Sequence, residues 1–343
     1  MKYMKNSFKN MKPYHSKLIT DGIILNANES PYNPPKEIID EFHKRLDGVE
    51  FNRYPDMDEE QLNKAIAKHY GIDYKNVTVG VGSDELLDAC FRATIEKGDK
   101  VLGFSPSFSM YKVFTELEQG EYIHVVGDEN YLFDVDKMIE LIKIHNPKLV
   151  LVCSPNNPTG QYFTEAEVRK IIESTDSLVL LDLAYIDFAR YDYAKIALEY
   201  DNVISFKTFS KALSLPSIRC GYAISNIDNI DMINAIKAPY SVTTISQILA
   251  EIAISKFDLY KAQIDSIKSE RERLYQELKS LDFNVFKSEA NFILVKSEKK
   301  YFDILEQNKI YIRRFDDTTY RITVGSKNEN DKLIEVLKCA KQK

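Results

Sequence analysis

The sequence predicts an α/β fold, with a buried and largely parallel sheet between helices and a smaller α+β unit towards the C-terminus. Three observations carry this expectation. Short apolar runs recur through the middle of the chain without the polar alternation of a half-solvated strand. Segments with apolar residues at helical spacing separate them. Beyond a long helical stretch, short strand-like and helix-like segments alternate again.

The expected buried strands are Val101 to Phe104, Leu149 to Val152, Leu178 to Leu181, Val203 to Phe206 and Tyr222 to Ile224. Thr164-Glu165-Ala166-Glu167 is a capping box that opens a helix carrying Val168, Ile171 and Ile172 on one face. Val135, Met138, Ile139 and Ile142 form another such stripe. From Ser241 to Leu281 the helical pattern is long enough for one bent helix or two in series, read as a domain connector. Strands at Asn291 to Val295, Ile310 to Ile312 and Arg321 to Val324 follow.

With 343 residues and about 150 per domain, two domains are expected. Hydrophobic residues at 44% and charged residues at 29% place the chain among globular proteins. Forty-six basic against 52 acidic residues leave a net charge of −6, so no global field favours nucleic acid. The four cysteines, Cys90, Cys153, Cys220 and Cys339, lie far apart without a CxxC pair, and the five histidines form no HExxH. Neither a disulfide framework nor a metal site is expected. The lysine-rich N-terminal segment has no apolar core, and no run of about 18 apolar residues occurs anywhere. A soluble, unsecreted, cytoplasmic protein without membrane contact is expected.

Four stretches carry chemistry. Lys211 ends Phe206-Lys207-Thr208-Phe209-Ser210-Lys211, directly after an expected buried strand. Alone it reads as a loop lysine, but Thr208, Ser210 and Arg219 beside it offer two hydroxyls and a guanidinium fork, which suit a phosphate next to an amine. A phosphorylated aldehyde fits both. Ser154-Pro155-Asn156-Asn157-Pro158-Thr159-Gly160 follows another strand, at the edge where α/β sheets hold ligands, and reads either as a plain turn or as a rigid mount for Asn157. Asp182 ends a third apolar run, with Tyr185 in the same loop. A carboxylate leaving a buried strand needs a cationic or donor partner, and a protonated ring nitrogen would serve. Val79 to Leu86 reads as strand end, glycine turn and helix start, where Ser83 can cap the helix and the free amides can also hold phosphate.

Taken together, these stretches resemble the fold-type I pyridoxal-phosphate enzymes, and more narrowly the histidinol-phosphate aminotransferase family. The resemblance runs through LNANESPYNPP (25 to 35), RYPD (53 to 56), VGSDELL (81 to 87), PSFSMY (106 to 111), SPNNPTG (154 to 160), DLAYIDF (182 to 188), TFSKALSLPSIRCGY (208 to 222), KAPYSV (237 to 242), SEANFILV (288 to 295) and YRITVG (320 to 325). It departs at Leu183, where the family commonly has an acidic residue, and at Ser214 to Ser217, where glycine and alanine are usual.

The resemblance implies a large domain with a mostly parallel seven-stranded sheet and a small domain built from both chain ends. The implied division is an N-terminal arm with part of the small domain over 1–44, the pyridoxal-phosphate domain over 45–245 and the small domain over 246–343. It further implies that Lys211 binds pyridoxal 5′-phosphate covalently, that Asp182 pairs with its ring nitrogen, and that Tyr185 and Asn157 hold its 3-oxygen. Phe108 would stack on the ring. Ser83, Asp84, Thr208, Ser210 and Arg219 would hold the phosphate, with Tyr54 from the second subunit of a homodimer whose active sites lie at the interface. Tyr14, Asn28, Arg313 and Arg321 match positions around the substrate anion. The implied reaction passes an amino group between L-histidinol phosphate and 2-oxoglutarate, in histidine biosynthesis. Relatives with the same cofactor site act on aromatic amino acids or decarboxylate phosphorylated amino acids. From another class, a noncatalytic phosphate- or nucleotide-binding α/β protein competes, although neither GxGxxG nor a P-loop is present.

Overall fold

A computed structural model describes residues 3–5, 8–9 and 19–341. The chain forms β1 (Ile23–Leu25), α1 (Lys36–Leu46), α2 (Glu60–Tyr70), β2 (Val77–Gly80), α3 (Gly82–Thr94), β3 (Lys100–Ser105), α4 (Met110–Leu117), β4 (Glu121–Val126), α5 (Val135–His145), β5 (Leu149–Cys153), α6 (Glu165–Ile172), β6 (Leu178–Asp182), β7 (Val203–Thr208) and β8 (Gly221–Ile224). There follow α7 (Ile227–Ile236), α8 (Thr244–Ser255), α9 (Lys261–Ser280), β9 (Asn284–Val285), β10 (Phe292–Lys296), α10 (Phe302–Gln307), β11 (Ile310–Arg314), β12 (Thr319–Thr323) and α11 (Lys327–Lys341). The larger sheet has seven strands in the order β2-β8-β7-β6-β5-β3-β4, and the smaller has five, ordered β1-β11-β12-β10-β9. Among the described residues, no helix is long and apolar enough to cross a membrane.

The larger sheet is parallel except at β8, which runs antiparallel to both β2 and β7. Successive side chains point to opposite faces, and both faces are covered. Val150, Val152, Val179 and Leu181 pack with α1, α2, α5, α6 and α8. Leu149, Leu151, Leu180, Ile204 and Phe206 pack with α3, α4 and α7 on the other side. Two covered faces explain why these strands read as unbroken apolar runs. The same alternation puts Cys153, Asp182 and Thr208, the last residues of β5, β6 and β7, on the α3 and α4 side. There the sheet ends and polar side chains escape the core.

The helix signals resolve as expected at α6. Thr164 accepts from the Glu167 backbone while the Glu167 carboxylate accepts from Thr164, which completes the capping box. The long helical stretch is two helices in series, α8 and α9, separated by a short 3₁₀ turn at Phe257–Tyr260. Ile264 and Ile267 of α9 pack into the core of the larger sheet, whereas Leu274 and Leu278 pack against the smaller one. Burying such side chains contributes about 1.5–3 kcal/mol each, so α9 is anchored at both ends. Ile38 of α1 and the apolar residues of α8 also belong to the larger core, while Leu25 of β1 belongs to the smaller.

The sequence expectations contained neither β1, β4 nor β9. β4 is an edge strand whose burial alternates irregularly, with Glu121, His124 and Val126 exposed, so it lacks the apolar signature of its neighbours. β1 and β9 have three and two residues, and pairing with β11 and β10 defines them more than their composition does.

On the opposite face of β7 from Thr208, Lys207 is buried. Its ammonium lies 2.6 Å from Asp187 Oδ1 and 2.6 Å from Asp192 Oδ2, and the Tyr70 hydroxyl donates to Asp192 at 3.3 Å. The cluster ties the loop after β6 to β7. Lys207→Ala removes the only cation from this group and leaves Asp187 buried and uncompensated. It is expected to lower stability by about 3–5 kcal/mol, read as a drop in the urea midpoint. A loss under about 1 kcal/mol would show that the cluster does not hold the loop.

Candidate active site

The ends of β5, β6 and β7, together with the start of α3, enclose a cavity of about 200 Å³. Its walls are Gly82, Ser83, Asp84, Phe108, Cys153, Asn157, Asp182, Ala184, Tyr185, Thr208, Ser210, Lys211 and Arg219. Ten of the residues singled out from the sequence therefore share one small space, although they span most of the larger sheet.

One end of the cavity is built for an anion. Helix α3 begins at Gly82, whose φ is +74°, so the amides of its first turn are unpaired within the helix. Val81, not Ser83, stands at the cap position, and its N–H donates to Glu85 Oε2 at 2.6 Å. Thus Ser83 lies inside the first turn, and the capping role is not its own. Arg219 closes this end, with Nη2 3.5 Å from Asp84 Oδ2 and Nη1 donating to Ser210 Oγ at 3.5 Å. A side chain at Gly82 would come 2.9 Å from Arg219 Nη2, and a Cβ at Gly221 would stand 2.3 Å from the Ser83 backbone nitrogen. Both glycines thus keep open a cradle lined by N–H, hydroxyl and guanidinium donors. These donors fit a phosphate group.

At the other end Asp182 is 6% exposed. Its Oδ1 accepts from the Ala184 N–H at 3.1 Å, and its Oδ2 accepts from the Tyr111 hydroxyl at 2.6 Å. Burial pushes its carboxyl upward, and these two donors pull it back. The remaining lone pairs face the cavity. Phe108 lies edge-on to Tyr111, with ring centroids 5.5 Å apart at 85°. Phe108 precedes α4 and Tyr111 lies in its first turn, the Tyr111 N–H donating to the Phe108 carbonyl at 3.2 Å.

Lys211 reaches across the cavity. Its Nζ donates to the Ala27 carbonyl at 3.1 Å and lies 5.7 Å from the Tyr185 ring centre. Burial, and then the nearby Arg321 charge, hold its ammonium down at about 8. An amine so placed gives up its proton far more readily than an ordinary lysine.

Residues of the smaller sheet and of the segment after β1 do not line this cavity but bond to residues that do. Arg321 Nη1 donates to Asn157 Oδ1 at 2.6 Å, and Nη2 donates to the Asn26 carbonyl at 2.8 Å. Arg313 lies opposite Arg321 in the β11–β12 register, so two guanidinium-bearing residues share one face. Like charges in a cross-strand pair repel unless an anion joins them. Asn28 is buried, with φ +56°, and its amide donates to the Tyr185 hydroxyl at 3.0 Å while its Oδ1 accepts from Thr323. It therefore orients Tyr185.

Tyr54 does not line the cavity. It is 82% exposed and stacks on Tyr240, with centroids 4.9 Å apart. Tyr14 lies outside the described residues. Sequence reasoning missed Tyr111, although its spacing from Phe108 was the available signal. A larger cleft of about 620 Å³ lies elsewhere, lined by Arg190, Lys268, Arg271 and Glu289 among others. Its charges satisfy each other: Arg190 pairs with Glu289, and Arg271 donates to the Phe188 and Ala290 carbonyls. Size alone does not locate the chemistry.

Residues 20–337 match the family profile of aminotransferase class I and II. The chain is 36% identical to the histidinol-phosphate aminotransferase of Clostridium novyi over 98% of this chain and 96% of that protein. It is 35% identical to that of Thermoanaerobacter pseudethanolicus, over 98% and 97%. Among solved structures, the histidinol-phosphate aminotransferase from Sinorhizobium meliloti in complex with pyridoxal-5′-phosphate superposes with a TM-score of 0.89 at 21% identity, covering 99% of both chains. The L-threonine-O-3-phosphate decarboxylase from Porphyromonas gingivalis gives 0.80 at 20% identity, covering 94% and 100%. With a sheet whose strand ends converge on a lysine, an aspartate and a phosphate-shaped cradle, and with relatives matched from end to end, this chain belongs to the aminotransferase class I and II family, among the histidinol-phosphate aminotransferases.

Proposed function

We propose that this chain transfers an amino group between L-histidinol phosphate and 2-oxoglutarate, using pyridoxal 5′-phosphate in the cavity beside Lys211. The observation that carries the reading is Lys211 itself: an amine held down at about 8, facing Asp182 across a cavity whose far end is a phosphate cradle. When bound, the cofactor supplies an aldehyde for the amine and a ring that accepts electrons from the substrate carbon.

The residues divide the work by position. The first-turn amides of α3 at Ser83 and Asp84, with Thr208, Ser210 and Arg219, hold the phosphate. Asp182 pairs with the ring nitrogen, Tyr185 and the Asn157 amide hold the 3-oxygen, and Phe108 lies against the ring. Lys211, once free, is the base that takes and returns a proton at Nζ, which requires its neutral form. Arg321, with Arg313 beside it, receives the phosphate of one substrate and a carboxylate of the other, since a guanidinium fork fits both. Asn28 and Tyr14 complete the substrate side.

Tyr54 reaches the cavity of a second subunit in this reading. Phe51 and Met57, close to it in sequence, and Tyr240, stacked on its ring, are also exposed, as expected of a surface that a second copy covers. The division at 44/45 and 245/246, with the smaller sheet drawn from both chain ends, belongs to the same proposal. The enzyme works in the reducing cytoplasm, in keeping with four free cysteines.

Purified protein with pyridoxal phosphate is expected to show a visible band that changes on adding L-histidinol phosphate and disappears in Lys211→Ala, together with all turnover. A band unmoved by that substrate but moved by an aromatic amino acid would reassign the donor, and release of carbon dioxide from a phospho-amino acid would reassign the reaction. Absence of any band would return the chain to noncatalytic phosphate binding. Because the Lys211 ammonium loses its proton near pH 8, the rate at which cofactor-free protein captures pyridoxal phosphate should rise from pH 6 and level off above about 8. A flat profile would mean that the Lys211 proton does not limit capture. Tyr54→Phe should weaken cofactor retention about tenfold, the worth of one charge-assisted hydrogen bond, while the dimer persists in sedimentation. Unchanged retention would remove Tyr54 from the site.

A further inference from the structure

Tyr111 is buried at 2% exposure in the first turn of α4, packed among the apolar side chains between α3, α4 and the sheet. Its hydroxyl donates to Asp182 Oδ2 at 2.6 Å. Cys153, the register partner of Asp182 on β5, lies on the same side of the sheet, with its thiol beside the phenol. Among the described residues, the other donor to Asp182 is the Ala184 N–H, on Oδ1.

A phenol gives up its proton far less readily than a carboxylic acid, so the shared proton stays with Tyr111. The bond therefore stabilises the ionised form of Asp182 more strongly than the protonated one. Without it, a carboxylate buried this deeply would hold a proton more tightly. That matters for a partner whose own proton affinity is comparable, as a pyridine nitrogen's is, because one proton is then divided between the two.

We propose that Tyr111 is a positioning residue that keeps Asp182 ionised and aimed into the cavity, so that the proton of the pair rests on the cofactor's ring nitrogen. This rests on the reading of the cavity as a pyridoxal-phosphate site. Phe108 and Tyr111 make the turn that leads into α4 responsible for both the aromatic wall and the charge state at the ring nitrogen.

The test uses Tyr111→Phe, which removes one oxygen and keeps the ring, loaded with pyridoxal phosphate carrying ¹⁵N in the ring. In the wild-type holoenzyme the ¹⁵N resonance is expected in the protonated range, and in Tyr111→Phe it should move towards that of neutral pyridine. Turnover should fall about tenfold with KM unchanged, as expected for losing a hydrogen bond to a charged group. With the analogue in which C–H replaces the ring nitrogen, wild type and variant should turn over alike. In an Asp182→Asn background, Tyr111→Phe should have no additional effect, because the group it acts through is gone. An unshifted ¹⁵N resonance, or equal losses with and without the ring nitrogen, would overturn the proposal. If the wild-type protein retained no pyridoxal phosphate, the reading of the cavity would fall first, independently of Tyr111.

Discussion

Placing an ionisable carboxylate at the end of a buried parallel strand costs several kcal/mol unless donors surround it, and Asp182 is the point where this fold accepts that cost. Its position follows from strand alternation. β6 directs Leu180 and Asp182 to the same face, so the aspartate is the first residue of the apolar row to emerge where the sheet ends. The neighbouring strands emerge on the same face, with Cys153 paired to Asp182 on β5 and Thr208 two residues beyond its β7 partner Phe206. The start of α4 supplies a phenol to the carboxylate, and the Ala184 N–H of the loop after β6 supplies the second donor.

The second constraint is that the site has two owners. The larger sheet provides Asp182, Thr208, Lys211 and Arg219, while the smaller sheet and the segment after β1 provide Arg321, Asn28 and the Ala27 carbonyl. Hydrogen bonds run between the two groups: Arg321 to Asn157, Asn28 to Tyr185 and Lys211 to Ala27. The lysine therefore feels the field of an arginine that a different sheet presents, and its lowered proton affinity depends on both parts being in register.

Much of this was legible in the sequence, for reasons that can be named. Both-face burial makes β5, β6 and β7 conspicuous, and the residues closing those runs, Asp182 above all, are polar where polarity is expensive. Residues marked by their local chemistry come together in one cavity: Lys211 with its hydroxyl neighbours, Arg219, Asn157 and the glycine turn at Gly82. What stayed hidden was set by pairing at a distance. Tyr111 meets Asp182 across the gap between a helix and a strand far apart in the chain, and its spacing from Phe108 in PSFSMY does not name the carboxylate it bonds. The edge strand β4 and the two-residue β9 likewise owe their existence to partners, and Ser83 looked like a cap because only the backbone reveals that Val81 takes that place.

The helix α9 gives the molecule a mechanical property. Its first half is sealed in one core and its second half in the other, with no break between Lys261 and Ser280, so it acts as a rigid strut shared by two bodies. Neither core can come apart without stripping one end of that strut. The two sheets thus form a single cooperative unit, and thermal motion that opens the cavity must bend or pivot the strut as a whole.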